Sequence, residues 1–254
     1  MLNVKQLPVL NDNYVYLIID EITQTTACVD PAISGPVIET LEDENLSLDF
    51  ILNTHHHLDH VGANLELKKK YGCKIIGSER DSSRIPGIDI KLNEGDFFEI
   101  GESKCKIFDV SGHTEGHIAF YFKKENLIFC GDTLFSLGCG RLFEGTPLQM
   151  VQSLLKIRSL PDNTKIYCAH EYTLNNANFA LSLDPSNKKL KEKVQEIKIK
   201  RSRNVPTIPC FLGDEKNFNP FLMFDNRDYL KRIGLENLNN EESFKIIREM
   251  KDKF

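Results

Sequence analysis

Four apolar, β-prone runs in this 254-residue chain each lead to a residue able to bind a metal ion, and that pattern limits what the chain can become. Phe50-Ile51-Leu52-Asn53-Thr54 runs into His55-His56-His57-Leu58-Asp59-His60. Residues 105–110 lead through Ser111 and Gly112 to His113, 127–131 end at Asp132, and 165–169 end at His170. Imidazole and carboxylate are ligands of zinc and neighbouring divalent metals. Side chains alternate along an extended segment, so His55 and His57 share a face and can pinch one ion while His56 points away. A helix opening just afterwards turns Asp59 and His60 toward a second point, so the spacing suggests two adjacent metal positions. Taken singly, His113 or His170 is an ordinary strand-end residue and Asp132 a turn or cap residue. Five of the chain's seven histidines nevertheless occupy such positions, with His56 and His117 beside them.

The chain is 41% hydrophobic and 27% charged, enough for a sizeable core. Its seven cysteines show no C-x-x-C pair or disulfide-like spacing, and an odd count is awkward for a secreted protein. Residues 1–10 lack the basic and apolar regions of a signal peptide, and no run approaches the ~20 apolar residues of a membrane span. A soluble, reducing, cytoplasmic setting without a membrane partner is expected. Cys139, between Gly138 and Gly140, is expected to pack as a small apolar residue rather than to act as a nucleophile.

Up to about Tyr172, short β-rich runs (14–19, 74–77, 97–100, 118–122) alternate with helical segments at 62–71 and 148–160. In the second of these, Leu148, Val151, Leu154, Leu155 and Ile157 approximate one apolar face. Such alternation fits sheets covered by helices. Beyond Tyr172, residues 176–183, 187–203 and 240–250 read as helices around a proline-bearing segment at 205–220. The expected division is an α/β catalytic domain at 1–172 and a mainly helical domain at 173–254. Clustered Lys and Arg at 188–203 could track phosphates, but acidic residues interrupt the run and the whole chain carries a net charge of −5. A solvated helix face is the reading, and nucleic acid is not an expected partner.

The stretches 54–60 (THHHLDH), 111–117 (SGHTEGH), 130–135 (CGDTLF), 138–146 (GCGRLFEGT) and 168–173 (CAHEYT) closely resemble glyoxalase II, the hydroxyacylglutathione hydrolases of the metallo-β-lactamase superfamily. The resemblance spans essentially the whole chain. It implies an α/β fold, an αββα sandwich followed by the helical domain, which would carry part of a glutathione site. It places His55, His57 and His113 on one metal, Asp59, His60 and His170 on a second, and Asp132 between them. The implied cofactor is a pair of divalent ions, zinc foremost, with iron or manganese acceptable to the same donors. Metal lowers the pKa of bound water to about 7, so a hydroxide bridging the ions and oriented in part by Asp59 becomes available.

The implied reaction is hydrolysis of the thioester of an S-(2-hydroxyacyl)glutathione, S-D-lactoylglutathione above all, to D-lactate and glutathione, the second step of methylglyoxal detoxification. A thiolate leaves without strong acid help, thiol pKa values being ~8.5. The resemblance assigns glutathione contacts to Arg141, Tyr172, Arg248 and Lys251. Arg248 and Lys251 share a helical face, and both suit carboxylates. Phe143 departs from members that carry tyrosine there, although phenylalanine occurs in bacterial-type sequences, and it lacks the phenol's hydrogen bond, so any contact there is by packing or backbone groups. His56 and His117 are expected to orient ligands. The expected partner is a small-molecule glutathione thioester, and the chain is expected to act as a monomer. Two rivals fare worse: a single-iron sulfur dioxygenase of the same fold, against the full ligand set and the Arg248–Lys251 pair, and a non-catalytic scaffold, against the absence of any missing ligand.

Overall fold

The chain opens with an antiparallel hairpin of β1 (Leu2–Val9) and β2 (Asn13–Asp20), followed by β3 (Thr26–Val29) and helix α1 (Gly35–Asp43). The computed structural model describes every residue from Met1 to Phe254. Next come β4 (Phe50–Leu52), the one-turn α2 (Leu58–Val61), α3 (Asn64–Tyr71), β5 (Lys74–Ser78) and β6 (Ile90–Leu92). These strands form one sheet in the order β1-β2-β3-β4-β5-β6. A second set, β7 (Phe97–Ile100), β8 (Ser103–Asp109), β9 (Ile118–Phe122) and β10 (Leu127–Gly131), precedes a small hairpin of β11 (Leu134–Phe135) and β12 (Gly138–Cys139). Then follow α4 (Pro147–Arg158), β13 (Lys165–Cys168), α5 (Thr173–Leu183), α6 (Lys188–Ser202), β14 (Cys210–Phe211), α7 (Leu212–Phe218), α8 (Arg227–Arg232) and α9 (Asn240–Asp252). The second sheet runs β14-β13-β10-β9-β8-β7.

β2 shows why these sheets stack. All eight of its residues are buried, because both faces are covered. Tyr14, Tyr16 and Ile18 join Ile107, Phe120 and Phe129 of the second sheet in the main core, whereas Val15 and Leu17 pack with Val37 and Leu41 of α1 and Leu67 of α3. On the far side of the second sheet, α4 supplies Met150, Val151, Leu154 and Ile157 to the main core. Its start is fixed by a capping box between Thr146 and Gln149. The result is two stacked sheets with helices outside, the expected αββα sandwich, followed by a largely helical C-terminal region.

The structure departs from the sequence reading in two segments. The run 50–54 is a strand only to Leu52, so residues 53–57 are irregular, and His57 forms the N-cap of α2. His55 and His57 are therefore brought together by a loop rather than by strand alternation. The segment 205–220 contains β14, which pairs antiparallel with β13 and so places part of the C-terminal region in the second sheet. It also contains α7, followed by a single 3-10 turn at Pro220–Leu222.

Candidate metal centre

Each of the four sequence runs delivers its polar residue to one end of the stacked sheets. After β4, the loop brings His55 and His57 in, and α2 turns Asp59 and His60 toward the same place. β10 ends on Gly131 (φ 47°), where an added Cβ would lie 2.3 Å from the Thr54 hydroxyl, so only glycine lets the chain turn there and present Asp132. His113 follows β8 and His170 follows β13.

The ligand atoms converge. His55 Nε2 and His113 Nε2 lie 3.0 Å and 3.1 Å from His57 Nδ1. The sets His55, His57, His113; His55, His60, Asp132; and Asp59, His60, His170 each bring three potential ligand atoms within 4.8 Å of one another. Asp132 lies between the groups, with Oδ2 3.5 Å from His113 Nε2 and 3.4 Å from His170 Nε2. Asp59 Oδ2 is 3.6 Å from His60 Nε2 and 3.5 Å from His170 Nε2.

Four of the five imidazoles have the other ring nitrogen tied. His60 Nδ1 donates to Asp30 at 3.0 Å, His170 Nδ1 to Asp12 at 2.8 Å, and His113 Nδ1 to the carbonyl of Arg141 at 2.9 Å. His55 Nδ1 meets Thr54 Oγ1 at 3.1 Å. These bonds fix ring orientation and leave each Nε2 facing inward, as metal-binding histidines require. Asn13 Nδ2 donates to Asp59 Oδ2 at 2.9 Å. His117, stacked on His55, accepts the Asp132 N–H at its Nε2, and His56 pairs with Asp81.

Burial, reinforced by neighbouring imidazoles, holds His55 well below the usual histidine range, and burial also lowers His57. In His113 burial outweighs the opposing pull of Asp132. Burial also opposes the charge of His170, but Asp132, Asp12 and Asp59 outweigh it and raise that group to about 9. His60 Nε2 and Asp132 Oδ1 are buried without any hydrogen-bond partner. An orphaned imidazole nitrogen and an orphaned carboxylate oxygen, both able to offer a lone pair, among further imidazoles and carboxylates, fit divalent cations of the first transition row.

Above the ligands lies a cavity of about 550 Å³ lined by His113, Asp132, Phe143, Tyr172, Arg248 and Lys251 among others. Tyr172 lies parallel to the His170 ring, centroids 4.7 Å apart, and Phe143, which is exposed, meets His57 and His113 edge-on. Lys251 is half-buried, hydrogen-bonded to Asn175, and pushed down to about 8 by burial and by the nearby Arg248 and Arg141. Arg248 is less available than its spacing implied. Its side chain is 7% exposed, and its guanidinium donates to the Cys139 carbonyl at 2.8 Å and pairs with Asp252 at 3.0 Å. Arg141 extends into solvent with its Nε 3.6 Å from the same Asp252. Cys139 is buried and pushed up to about 11, so it stays a neutral thiol.

Sequence reasoning missed Asp12 and Asp30. Asp30 carried the same signal as the ligands, a carboxylate closing an apolar strand, whereas Asp12 sits in a turn and carried no local signal.

The stacked sheets and the ligand cluster at their edge define a hydrolase of the metallo-β-lactamase superfamily, whose family model matches residues 10–170. The model for the hydroxyacylglutathione hydrolase C-terminus matches residues 171–254. The chain is 48% identical over 254 residues to the hydroxyacylglutathione hydrolase of Methylococcus capsulatus, covering all of this chain and 99% of that one. It belongs to the hydroxyacylglutathione hydrolase family. Among solved structures, ETHE1 from Myxococcus xanthus shares the fold, with TM-score 0.69 and 21% identity over 97% of this chain and 96% of that one. TTHA1623, solved in a di-iron-bound form, is 26% identical with TM-score 0.56, covering 66% of this chain and 91% of that one. No helix is long and apolar enough to cross a membrane.

Proposed function

We propose that the chain hydrolyses the thioester of S-(2-hydroxyacyl)glutathione, with S-D-lactoylglutathione as substrate and D-lactate and glutathione as products. We assign His55, His57 and His113 to one divalent ion, Asp59, His60 and His170 to a second, and Asp132 to both. The observation that carries this reading is the convergence of these ligand atoms beneath a cavity bordered by Arg141, Arg248 and Lys251. Divalent ions held there would supply Lewis-acid chemistry, lowering the pKa of water toward neutrality and polarising a carbonyl.

The chain's own residues bind and orient. Asp59, fixed by Asn13, orients the attacking water. Tyr172 and Phe143 cover the imidazoles with aromatic surface that limits water around the reacting carbonyl. Arg141, Arg248 and Lys251 supply positive charge for the two carboxylates of glutathione. Phe143 contributes packing without a hydrogen bond. The leaving thiolate needs no dedicated acid, given ordinary thiol pKa values of ~8.5.

Zinc is the proposed metal, because imidazole and carboxylate donors suit it, and iron, the metal of the di-iron TTHA1623 structure, is the alternative. The same reading places the enzyme in the cytoplasm, where its seven free cysteines stay reduced, and takes it to act as a monomer.

The test is turnover of S-D-lactoylglutathione by purified protein before and after chelation and metal restoration, beside a non-glutathione thioester and a β-lactam. Metal-dependent turnover confined to the glutathione thioester supports the proposal. Fully metallated protein that leaves this thioester intact overturns it.

A further inference from the structure

Between Asp132 and Arg141 the chain makes the small hairpin of β11 and β12, and its turn is unusual. Leu137 at the tip has φ 56°, a strained left-handed conformation that a bulky residue keeps only where its surroundings enforce it. The surroundings come from the C-terminal region. Glu215 of α7, a carboxylate 1% exposed with no cation within ion-pair distance, accepts the Leu137 N–H at 2.7 Å and the Ser136 hydroxyl at 3.0 Å. Asn219, wholly buried, donates from Nδ2 toward Glu215 at 3.0 Å and toward the carbonyls of Gly138 at 3.0 Å and Phe135 at 3.2 Å. Asn176 of α5 donates to the Ser136 carbonyl and packs so closely that a Cβ on Gly138 would lie 2.4 Å from its amide.

Both ends of this hairpin lead to the candidate metal ligands. On the entering side Asp132 immediately precedes it, and a Cβ on Gly140 would lie 2.0 Å from the Asp132 carbonyl, so the two chain segments touch. On the leaving side, the carbonyl of Arg141 holds His113 Nδ1. A shift of the turn therefore moves a carboxylate and the anchor of an imidazole together.

We infer that Glu215 and Asn219 are positioning residues: from the C-terminal region they fix the β11–β12 turn, and through it the orientation of Asp132 and His113. The inference rests on the ligand assignment proposed above. It gives the C-terminal region a part in building the metal centre itself, beyond any contact with glutathione.

The experiment compares Glu215→Ala, Asn219→Ala, Glu215→Gln and Leu230→Ala with the wild type. Readouts are metal retained on dialysis against a graded chelator, kcat and KM for the glutathione thioester, and Tm. Glutamine can keep one oxygen toward Leu137 and turn its amide toward Ser136 Oγ, so Glu215→Gln retains metal and turnover. The alanine variants at 215 and 219 release metal at about tenfold lower chelator and lose kcat by about tenfold, the low end of the range for groups that orient a metal ligand. Leu230→Ala, a cavity on α8 with no hydrogen bond to the hairpin, lowers Tm but not metal retention. Should an alanine variant fail to fold, Ser136→Ala removes a single donor from the carboxylate and is judged by the same readouts. Metal retention unchanged in folded variants, or lost equally in Leu230→Ala, overturns the inference. Wild-type protein that binds two ions but cleaves no glutathione thioester would instead overturn the proposed function, leaving the metal-retention comparison intact.

Discussion

His60 Nε2 and Asp132 Oδ1 face each other at 3.6 Å in the interior, and neither atom has a hydrogen-bond partner. A buried polar atom left unpaired costs about 1–3 kcal/mol, so a matched pair of orphans marks a place built for a third party. Removing that carboxylate by Asp132→Ala should lower metal content and turnover together, turnover by more than the ~10–100-fold loss typical of groups that only orient ligands. Metal analysis beside kcat checks this, and two retained ions with full turnover would refute the bridging assignment.

Asp12 tests orientation without direct ligation. Its side chain is 39% exposed and holds His170 Nδ1 at 2.8 Å, so Asp12→Ala should leave the fold intact. Metal affinity is expected to fall by about 10–100-fold with KM unchanged. Equilibrium dialysis with a competing chelator measures it.

Arg248 and Lys251 should separate. Arg248→Ala strips the Cys139 carbonyl of its buried donor, so it should cost about 1–3 kcal/mol of stability as well as raise KM. Lys251→Ala should raise KM with little change in Tm, because that ammonium is only half-buried. Denaturant melts run beside initial-rate kinetics distinguish the two.

The pH profile follows from Lys251. Burial, with Arg248 and Arg141 adding to it, holds this ammonium at about 8, so it is charged below that pH and neutral above it. Because kcat/KM reports the free enzyme, it should decline above pH about 8 while kcat stays level. Lys251→Arg, whose charge persists, should move the decline to higher pH; an unmoved profile would remove Lys251 from substrate binding.

A second pH test concerns stability. Arg158 of α4 grips Asp225 with two hydrogen bonds, 2.7 Å and 2.6 Å, and this pairing lowers the Asp225 pKa. A carboxylate lowered on folding stabilises the protein above its unfolded pKa of ~3.9, and that contribution fades as pH falls through the folded value. Asp225→Asn should therefore cost about 1 kcal/mol near pH 7 and progressively less below pH ~4. Paired melts of the two proteins across that range measure the convergence.

The residues that converge at the candidate site stood out in the sequence because each is a local event, a polar residue closing an apolar strand, repeated until chance was a poor explanation. The helices at α4, α6 and α9 were readable for a similar reason, since a helical pattern lies within the segment itself, as with the apolar face of Leu148, Val151, Leu154 and Ile157. Asp12 escaped because its importance lies in a contact with His170, 158 positions away. β14 and the β11–β12 hairpin escaped because two-residue strands carry no period, and only tertiary partners hold them extended. The buried contacts of Arg248 were hidden too: a basic residue on a helix face looks solvated until the hairpin that covers it is known.

β14 also bears on how this protein fails. An unpaired strand flank is a template for joining other chains, and proteins guard against it by covering or pairing every such flank. Because residues 210–211 cap β13, the His170 strand is shielded only while the C-terminal region is in place. Partial melting of that region uncovers a sticky border beside the candidate metal centre, so aggregation and loss of activity should begin at the same temperature.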